Sequence, residues 1–256
     1  MSKRTTHRLP RQTLRNIPFS ELVARVPDLS AARREYAGKS PENRRVAAQW
    51  AYDAGMAQDL FSRAIRCTGN GDEFDSGFES GVLALAIDPL FAPALLTVGS
   101  LEYQYGRVDA AMELFMTLTT LPQTEPELVE VIDKAGCFLL DQKDCPNAER
   151  LCRAATEAYP AVVEHWSSLG YCLGKMGKME EAVATARKAL SLNERSPYVL
   201  NDLGWTLMLS GLYEEARAVL QRAVALAPSD YHLPRNNLEE LEKRARCRPA
   251  ANKQRS

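Results

Sequence analysis

The sequence predicts an all-α fold, a right-handed α-solenoid of stacked helical hairpins with about five units and a C-terminal capping helix. The first observation behind this prediction is an offset of 34 residues, at which Leu169-Gly170 recurs as Leu203-Gly204 and Gly177 recurs as Gly211. The second is that glycines and prolines separate amphipathic segments of helical length. An offset kept over a whole unit is typical of repeat proteins, in which stacked neighbours cover apolar faces that one hairpin cannot bury alone.

The N-terminal third contains helix signals without a repeat register. A short helix is predicted over Glu21–Arg25, capped by Ser20 and ended by Pro27, and another over Ser30–Tyr36. Ser40-Pro41-Glu42 combines a capping serine, a first-turn proline and an early acidic residue, so a longer helix should begin there and run to about Cys67. Its apolar face is predicted from residues spaced by four and three, which are Val46, Trp50, Ala54 and Ala57.

The rest of the chain divides into helices joined by short turns, after a loop over Thr68–Asp72. The predicted helices are Phe74–Ile87, Pro93–Tyr105, Val108–Thr119, Leu128–Leu140, Asn147–Ala158, Val162–Lys175, Met179–Leu192, Tyr198–Leu209, Tyr213–Leu226 and Leu233–Arg246. The apolar stretch Gly81–Gly99 holds Asp88, Pro89 and Pro93 near its middle. A charge and two prolines argue against a membrane span, so we expect two helices that meet at a turn.

One unit carries a recognisable motif. The pattern Trp166-x-x-Leu169-Gly170-x-x-Leu173, followed by Ala182 and Ala189, resembles the tetratricopeptide repeat, whose unit is a 34-residue helical hairpin. The resemblance covers about Gln58–Tyr231. Small residues are expected where the two helices of a hairpin approach closely, and they are Gly136, Gly170, Gly204, Ala148, Ala182 and Ala216. Larger residues should fill the gap to the next hairpin, and they are Leu139, Leu173, Leu207 and Leu220.

The expected domain organisation follows from this register. We predict a disordered basic tail over 1–15, a helical segment or cap over 16–57, the repeat solenoid over 58–230, a capping helix over 231–246 and a disordered basic tail over 247–256. Residues 1–15 carry five basic side chains and residues 243–256 carry six, with no acidic residue in either segment. The body between them holds 21 basic and 33 acidic side chains, so an acidic body lies between two basic ends.

The residues do not suggest an enzyme. The sequence lacks a Gly-rich phosphate loop, a Gly-x-Ser-x-Gly motif and a His-Glu-x-x-His motif, and no small-molecule substrate or cofactor is indicated. Its six cysteines form no Cys-x-x-Cys pair and its three histidines are far apart, so no metal site is expected. The cysteines are interpreted as buried hydrophobes in a reducing compartment, and no apolar leader follows the basic start, so we expect a cytoplasmic protein.

The resemblance implies a binding module whose first helices, the A helices, line an inner wall that holds a peptide or a helix of a partner. Carried over by position, the groove residues are Tyr103, Glu130, Asp133, Asp141, Glu164, Tyr171, Lys175, Tyr198, Asn201, Trp205 and Met208. Asn201 is positioned for a peptide backbone, and Tyr171 and Trp205 for an apolar anchor. The alternative is that Trp205 and Met208 only pack against the capping helix.

The acidic residues of this wall favour a partner with Lys or Arg among its contacts and disfavour a clamp for a free carboxylate. The leading hypothesis is therefore a non-catalytic scaffold or adaptor for protein–protein interaction. One alternative is a chaperone-like holder of a specific client protein. Another is a nucleic-acid-associated protein acting through its basic tails, which is disfavoured because neither tail contains an aromatic residue. The tails can instead fold back on the acidic groove or serve only solubility.

Overall fold

A computed structural model describes residues 27–66 and 76–247, together with Pro18, Phe19 and Glu21. All regular secondary structure in this part of the chain is helical. The helices are α1 (Pro27–Ala37), α2 (Pro41–Arg66), α3 (Ser76–Ile87), α4 (Ala92–Gln104), α5 (Val108–Leu118), α6 (Leu128–Asp141), α7 (Cys145–Ala158), α8 (Val163–Lys175), α9 (Met179–Leu192), α10 (Pro197–Leu209), α11 (Tyr213–Leu226) and α12 (Leu233–Cys247). The predicted basic tails, the Thr68–Asp72 loop and nearly all of the Glu21–Arg25 helix lie outside the described residues.

The chain forms two compact units, 1–135 and 136–256, with the division inside α6. In the first unit α2 packs against α3, α3 against α4 and α4 against α5, and α1 also contacts α3. In the second unit each helix from α7 to α12 packs against the next, and the alternate pairs α8–α10 and α10–α12 are also in contact. The described fold is thus an all-α solenoid of helical hairpins, as predicted.

The predicted helix boundaries are confirmed most closely in the second unit. Helices Met179–Leu192 and Tyr213–Leu226 begin and end where the sequence indicated. Local capping explains two starts, because Ser40 accepts a hydrogen bond from the Asn43 amide at 3.3 Å and Ser196 accepts one from the Val199 amide at 3.3 Å.

The turns between paired helices repeat one backbone conformation. Gly106, Gly177 and Gly211 have φ angles of 80°, 75° and 78°, and Lys143 takes the equivalent place between α6 and α7 with a φ of 62°. This left-handed conformation is unstrained for glycine but costs a residue with a Cβ roughly 1–2 kcal/mol. The turn geometry is therefore kept even where the sequence departs from glycine.

A contiguous apolar core in the second unit joins α9, α10, α11 and α12. Leu200, Leu207 and Leu220 are fully buried in it, and Leu241 attaches α12 to the same core. Gly204 lets α10 and α11 approach, since a Cβ there would lie 2.5 Å from the Leu220 Cγ. The predicted close approach of the two helices of a hairpin at a small residue is confirmed at this contact, and α12 covers the end of the core.

Paired charges join the second helices of successive hairpins at the repeat distance. Arg153 binds Glu181 at 2.5 Å, and 34 residues later Arg187 binds Glu215 at 2.8 Å. These pairs are exposed, so each contributes at most about 1 kcal/mol. The repeat register is thus visible in surface charges as well as in the core.

The buried face predicted for α2 is wrong. Val46 and Trp50 are 50% and 75% exposed, and Ala54 is exposed too, so they do not form the buried face of α2. That helix instead buries Ala48, and the Tyr52 hydroxyl lies 2.7 Å from the Thr97 hydroxyl. Helix α1 begins at Pro27, three residues before the predicted start at Ser30, because proline fits the first helical turn, where its missing N–H is not needed.

Two ion pairs also stabilise the first unit. Arg45 of α2 forms a bidentate ion pair with Glu125, which lies in the connection between α5 and α6. Glu102 is fully buried and pairs with Arg107 across the turn between α4 and α5. A buried carboxylate needs such a partner, so this pair fixes the turn.

Candidate interaction surface

The exposed side of α8 and α10 in the second unit displays aromatic and charged side chains at helical spacing. We call this surface the A-helix face and define it by Glu164, Tyr171 and Lys175 on α8 and by Tyr198, Asp202 and Trp205 on α10. Residues three, four or seven positions apart share one side of a helix, which explains the alignment. Tyr171 is 52% exposed and Tyr198 is 54% exposed, so both rings face solvent.

Two aromatic rings on this face lie next to a cation supplied by the chain. The Lys175 ammonium lies 5.2 Å from the centre of the Tyr171 ring, and the Arg244 guanidinium of α12 lies 5.8 Å from the centre of the Trp205 ring. Arg244 also binds Glu240 at 2.8 Å. Each contact is worth about 0.5–1 kcal/mol at an exposed site and holds the ring in place.

Three predicted groove residues on α10 take part in packing. Met208 is 1% exposed and Asn201 is 5% exposed, and Trp205 packs on the same core as Met208. The Asn201 side-chain carbonyl accepts a hydrogen bond of 2.8 Å from Asn237 of α12, so its amide group is engaged within the fold. The packing alternative, which concerned Trp205 and Met208, therefore describes Met208. Trp205 also contacts α12 through Arg244 but is only partly buried.

Next to these residues, Tyr198, Asp202 and Tyr231 form a small cluster. The rings of Tyr198 and Tyr231 have centres 4.4 Å apart and an interplanar angle of 43°. Asp202 follows Tyr198 by one helical turn and accepts hydrogen bonds from the Asn201 amide, at 3.5 Å, and from the Ser167 hydroxyl of α8. The cluster thus joins α8, α10 and the connection before α12.

The surrounding protein disfavours ionisation in this cluster. Desolvation raises the pKa of Asp202 to about 6, although its hydrogen bonds from Asn201 and Ser167 act in the opposite direction. Burial, with smaller contributions from Asp202 and Tyr198, raises the pKa of Tyr231 to about 12. The Asp202 side chain is nonetheless exposed, so a ligand can reach it.

The other predicted groove residues lie elsewhere and are described unit by unit. In the first unit, Tyr103 on α4 is half-buried, Glu130 on α6 is exposed and binds Lys134 at 2.7 Å, and Asp133 is half-buried. In the second unit, Asp141 is exposed at the end of α6.

Sequence reasoning missed Asp202, Tyr231 and Arg244. The 34-residue offset placed Asn201 and Asp202 equally well, because neighbouring positions on α10 correspond to Ser167 and Ser168 on α8. Tyr231 lies in the connection before α12, outside the helical pattern that was used. The basic composition of α12 was a signal for Arg244, but its contact with Trp205 depends on packing.

The arrangement offers hydrogen-bonding, ionic and aromatic groups for non-covalent binding. Among the described residues, no group of His, Cys, Asp and Glu side chains is suited to hold a metal ion. None of the described helices combines the length and apolar character needed to cross a bilayer.

Comparison with known protein families agrees with the helical-hairpin architecture. A family model described as Tetratricopeptide repeat matches residues 134–198 and 173–231. No curated protein matches the sequence. Among solved structures, a thermophilic TPR protein in Thermus thermophilus is 20% identical, with 76% of this chain and 99% of that chain covered and a TM-score of 0.46.

Two further structures show a similar extent of overlap. YrrB, described as a TPR protein with an unusual peptide-binding site, is 16% identical, with 74% of this chain and 90% of that chain covered and a TM-score of 0.47. MamA is 20% identical, with 68% of this chain and 92% of that chain covered and a TM-score of 0.44. The family match falls on the segment in which the 34-residue offset is kept.

Proposed function

We propose that this chain, whose residues 134–231 match the tetratricopeptide-repeat family model, is a non-catalytic scaffold or adaptor for protein–protein interaction. It binds a peptide or a helix of a partner protein on the A-helix face. The observation that carries this proposal is the exposure of Tyr171 on α8 and of Tyr198 on α10, two helices that are in contact.

Exposed tyrosines at fixed positions are suited to binding a protein segment. Their rings supply a large apolar surface that loses little conformational entropy on binding, and their hydroxyl groups remain available for hydrogen bonds. Tyr171 is steadied by Lys175, and Tyr198 by Tyr231, so neither ring must be ordered anew when a partner binds. Trp205, which is partly buried against the core of the second unit, adds apolar surface on α10.

Charge supports a partner with basic residues. Glu164 and Asp202 place two carboxylates on the A-helix face, and Lys175 is its one defining cation. A partner with Lys or Arg beside its apolar contacts complements this face, whereas a segment rich in acidic residues is repelled. Charge reversal by Glu164→Lys should therefore weaken binding of such a partner.

A displayed library of random dodecapeptides tests the proposal with the full chain as bait. Peptides retained by the wild type should lose affinity by about tenfold or more when Tyr171→Ala and Tyr198→Ala are combined, since truncated hot-spot residues commonly cost that much. The matched control combines Leu192→Ala and Leu226→Ala, two exposed positions at the ends of α9 and α11. The control should bind like the wild type.

Two outcomes contradict the proposal. If no peptide is retained, the chain does not bind extended segments in this way. If the tyrosine variant and the leucine control lose affinity equally, the binding surface is not the A-helix face. Circular dichroism melts of both variants establish that lost binding does not come from lost folding.

A further inference from the structure

Resting on the proposed function, we propose that Tyr198, Asp202 and Tyr231 form a subsite for one Lys or Arg side chain of the bound protein segment. The two rings supply aromatic surface for the cation, and the carboxylate supplies its counter-charge. This assigns a position and a chemistry to the basic residue of the partner, beyond a general preference for positive charge.

The geometry of the cluster is fixed by contacts within the fold. The Tyr198 and Tyr231 rings support each other at 4.4 Å, and Tyr198 keeps more than half of its surface open to solvent. The Ser167 hydroxyl and the Asn201 amide donate to the Asp202 carboxylate. A positioned carboxylate beside two positioned rings needs little reorganisation to accept a cation.

Elsewhere on the A-helix face, two aromatic rings already contact a cation from the protein itself. Lys175 lies over Tyr171 and Arg244 lies over Trp205. In the part of the chain that the structure describes, no cation lies over Tyr198 or Tyr231, and no ion pair involves Asp202. Of the three aromatic residues that define the A-helix face, only Tyr198, the one beside Asp202, thus lacks a cation from the described residues.

The electrostatics favour an incoming cation over other ligands. Desolvation raises the pKa of Asp202 despite the hydrogen bonds from Asn201 and Ser167, so its charged form is only partly compensated in the unbound protein. A Lys or Arg side chain supplies the remaining compensation and gains charge-assisted hydrogen bonds. A ligand carboxylate is repelled, and a purely apolar side chain leaves the carboxylate covered without a partner, which costs free energy.

The test is a double-mutant cycle on retained dodecapeptides that contain Lys or Arg, with dissociation constants measured by calorimetry. Asp202→Asn should weaken binding about tenfold, and replacement of the peptide's Lys by norleucine should weaken wild-type binding by a similar factor. The norleucine peptide should bind both proteins alike, and Asp202→Glu should restore part of the lost affinity. Glu157→Gln, at an exposed carboxylate on α7, is the matched control and should change nothing.

The outcomes separate this inference from the function on which it rests. Retained peptides that are not enriched in Lys or Arg, or an unchanged dissociation constant for Asp202→Asn, overturn the cation subsite. If those peptides still depend on Tyr171 and Tyr198, the proposed function stands without the subsite. If the library yields no binder, both proposals fall.

Discussion

Helices α10 and α2 each expose aromatic side chains, but their buried sides differ. Helix α10 buries Leu200, Leu203 and Leu207 in the core of the second unit and displays Tyr198 beside Asp202. Helix α2 in the first unit buries Ala48, while its bulkier Val46 and Trp50 are exposed.

The difference shows what fixes the orientation of a helix. On α10 the apolar spacing and the 34-residue offset select the same side, because Leu169 and Leu173 of the preceding hairpin, which correspond to Leu203 and Leu207, are also buried. Helix α2 has no such register. Its orientation follows from particular contacts, such as the edge-on packing of Tyr52 on Phe91 at 5.6 Å. Apolar spacing alone is therefore a weaker guide than a repeat.

The largest expected effect tests the difference in burial between α10 and α2. Leu200→Ala should lower the free energy of unfolding by about 2–5 kcal/mol, because it removes a fully buried side chain and leaves a cavity. Trp50→Ala should change it by about 0.5 kcal/mol or less, because that ring is exposed. Urea unfolding followed by circular dichroism measures both, and a Trp50→Ala loss comparable to that of Leu200→Ala would show that α2 is packed through its predicted face.

A smaller effect tests the close approach of α10 and α11 at Gly204. Gly204→Ala places a Cβ 2.5 Å from the Leu220 Cγ, so overpacking should cost about 1–3 kcal/mol. Gly136→Ala is the matched control, since its Cβ would meet the Cys152 sulfur at an ordinary 3.5 Å. The control should be neutral or stabilising by up to about 1 kcal/mol, because alanine favours a helix more than glycine does. The same urea titrations apply, and equal losses for the two variants would refute close approach as the reason for Gly204.

The smallest expected effect concerns the exposed side of α10 and depends on pH. The folded pKa of Asp202, about 6, is above its ordinary value of 3.8, so the protonated form favours folding. The stability from this group is fully present below 3.8 and is lost as the pH rises through about 6. Asp202→Asn should therefore raise stability near neutral pH, by less than about 1 kcal/mol because water screens this exposed group.

Thermal melts of the wild type and Asp202→Asn at neutral pH and at about pH 4 check this prediction. The gain of the variant should shrink at the lower pH, where the wild-type carboxyl is protonated. Because the two proteins differ only at Asp202, the difference between their melts reports on Asp202 and not on other ionisable side chains, such as Glu164 on α8 and His232 before α12. A variant that is less stable than the wild type at neutral pH would show that the ionised carboxylate stabilises the fold.

Much of the candidate surface was predictable by position, but its chemistry was not. The repeat predicted Tyr171, Lys175 and Tyr198 as residues of an inner wall, and the structure exposes all three. Neighbouring positions such as Asn201 and Asp202 could not be separated in this way, because a helix turns by about 100° per residue and both lie near the edge of the same side. The structure turns Asn201 toward Asn237 and leaves Asp202 accessible.

The sequence by itself determined the helices of the second unit, their pairing and their leucine core. Those features depend on short-range periodicity and on an offset that repeats along the chain. Only the tertiary structure decided which side of α2 is buried and which polar groups meet on the A-helix face. The contacts of Ser167 with Asp202 and of Tyr198 with Tyr231 join residues more than 30 positions apart. Such contacts depend on how whole helices are rotated against each other, and no local pattern of residues records that rotation.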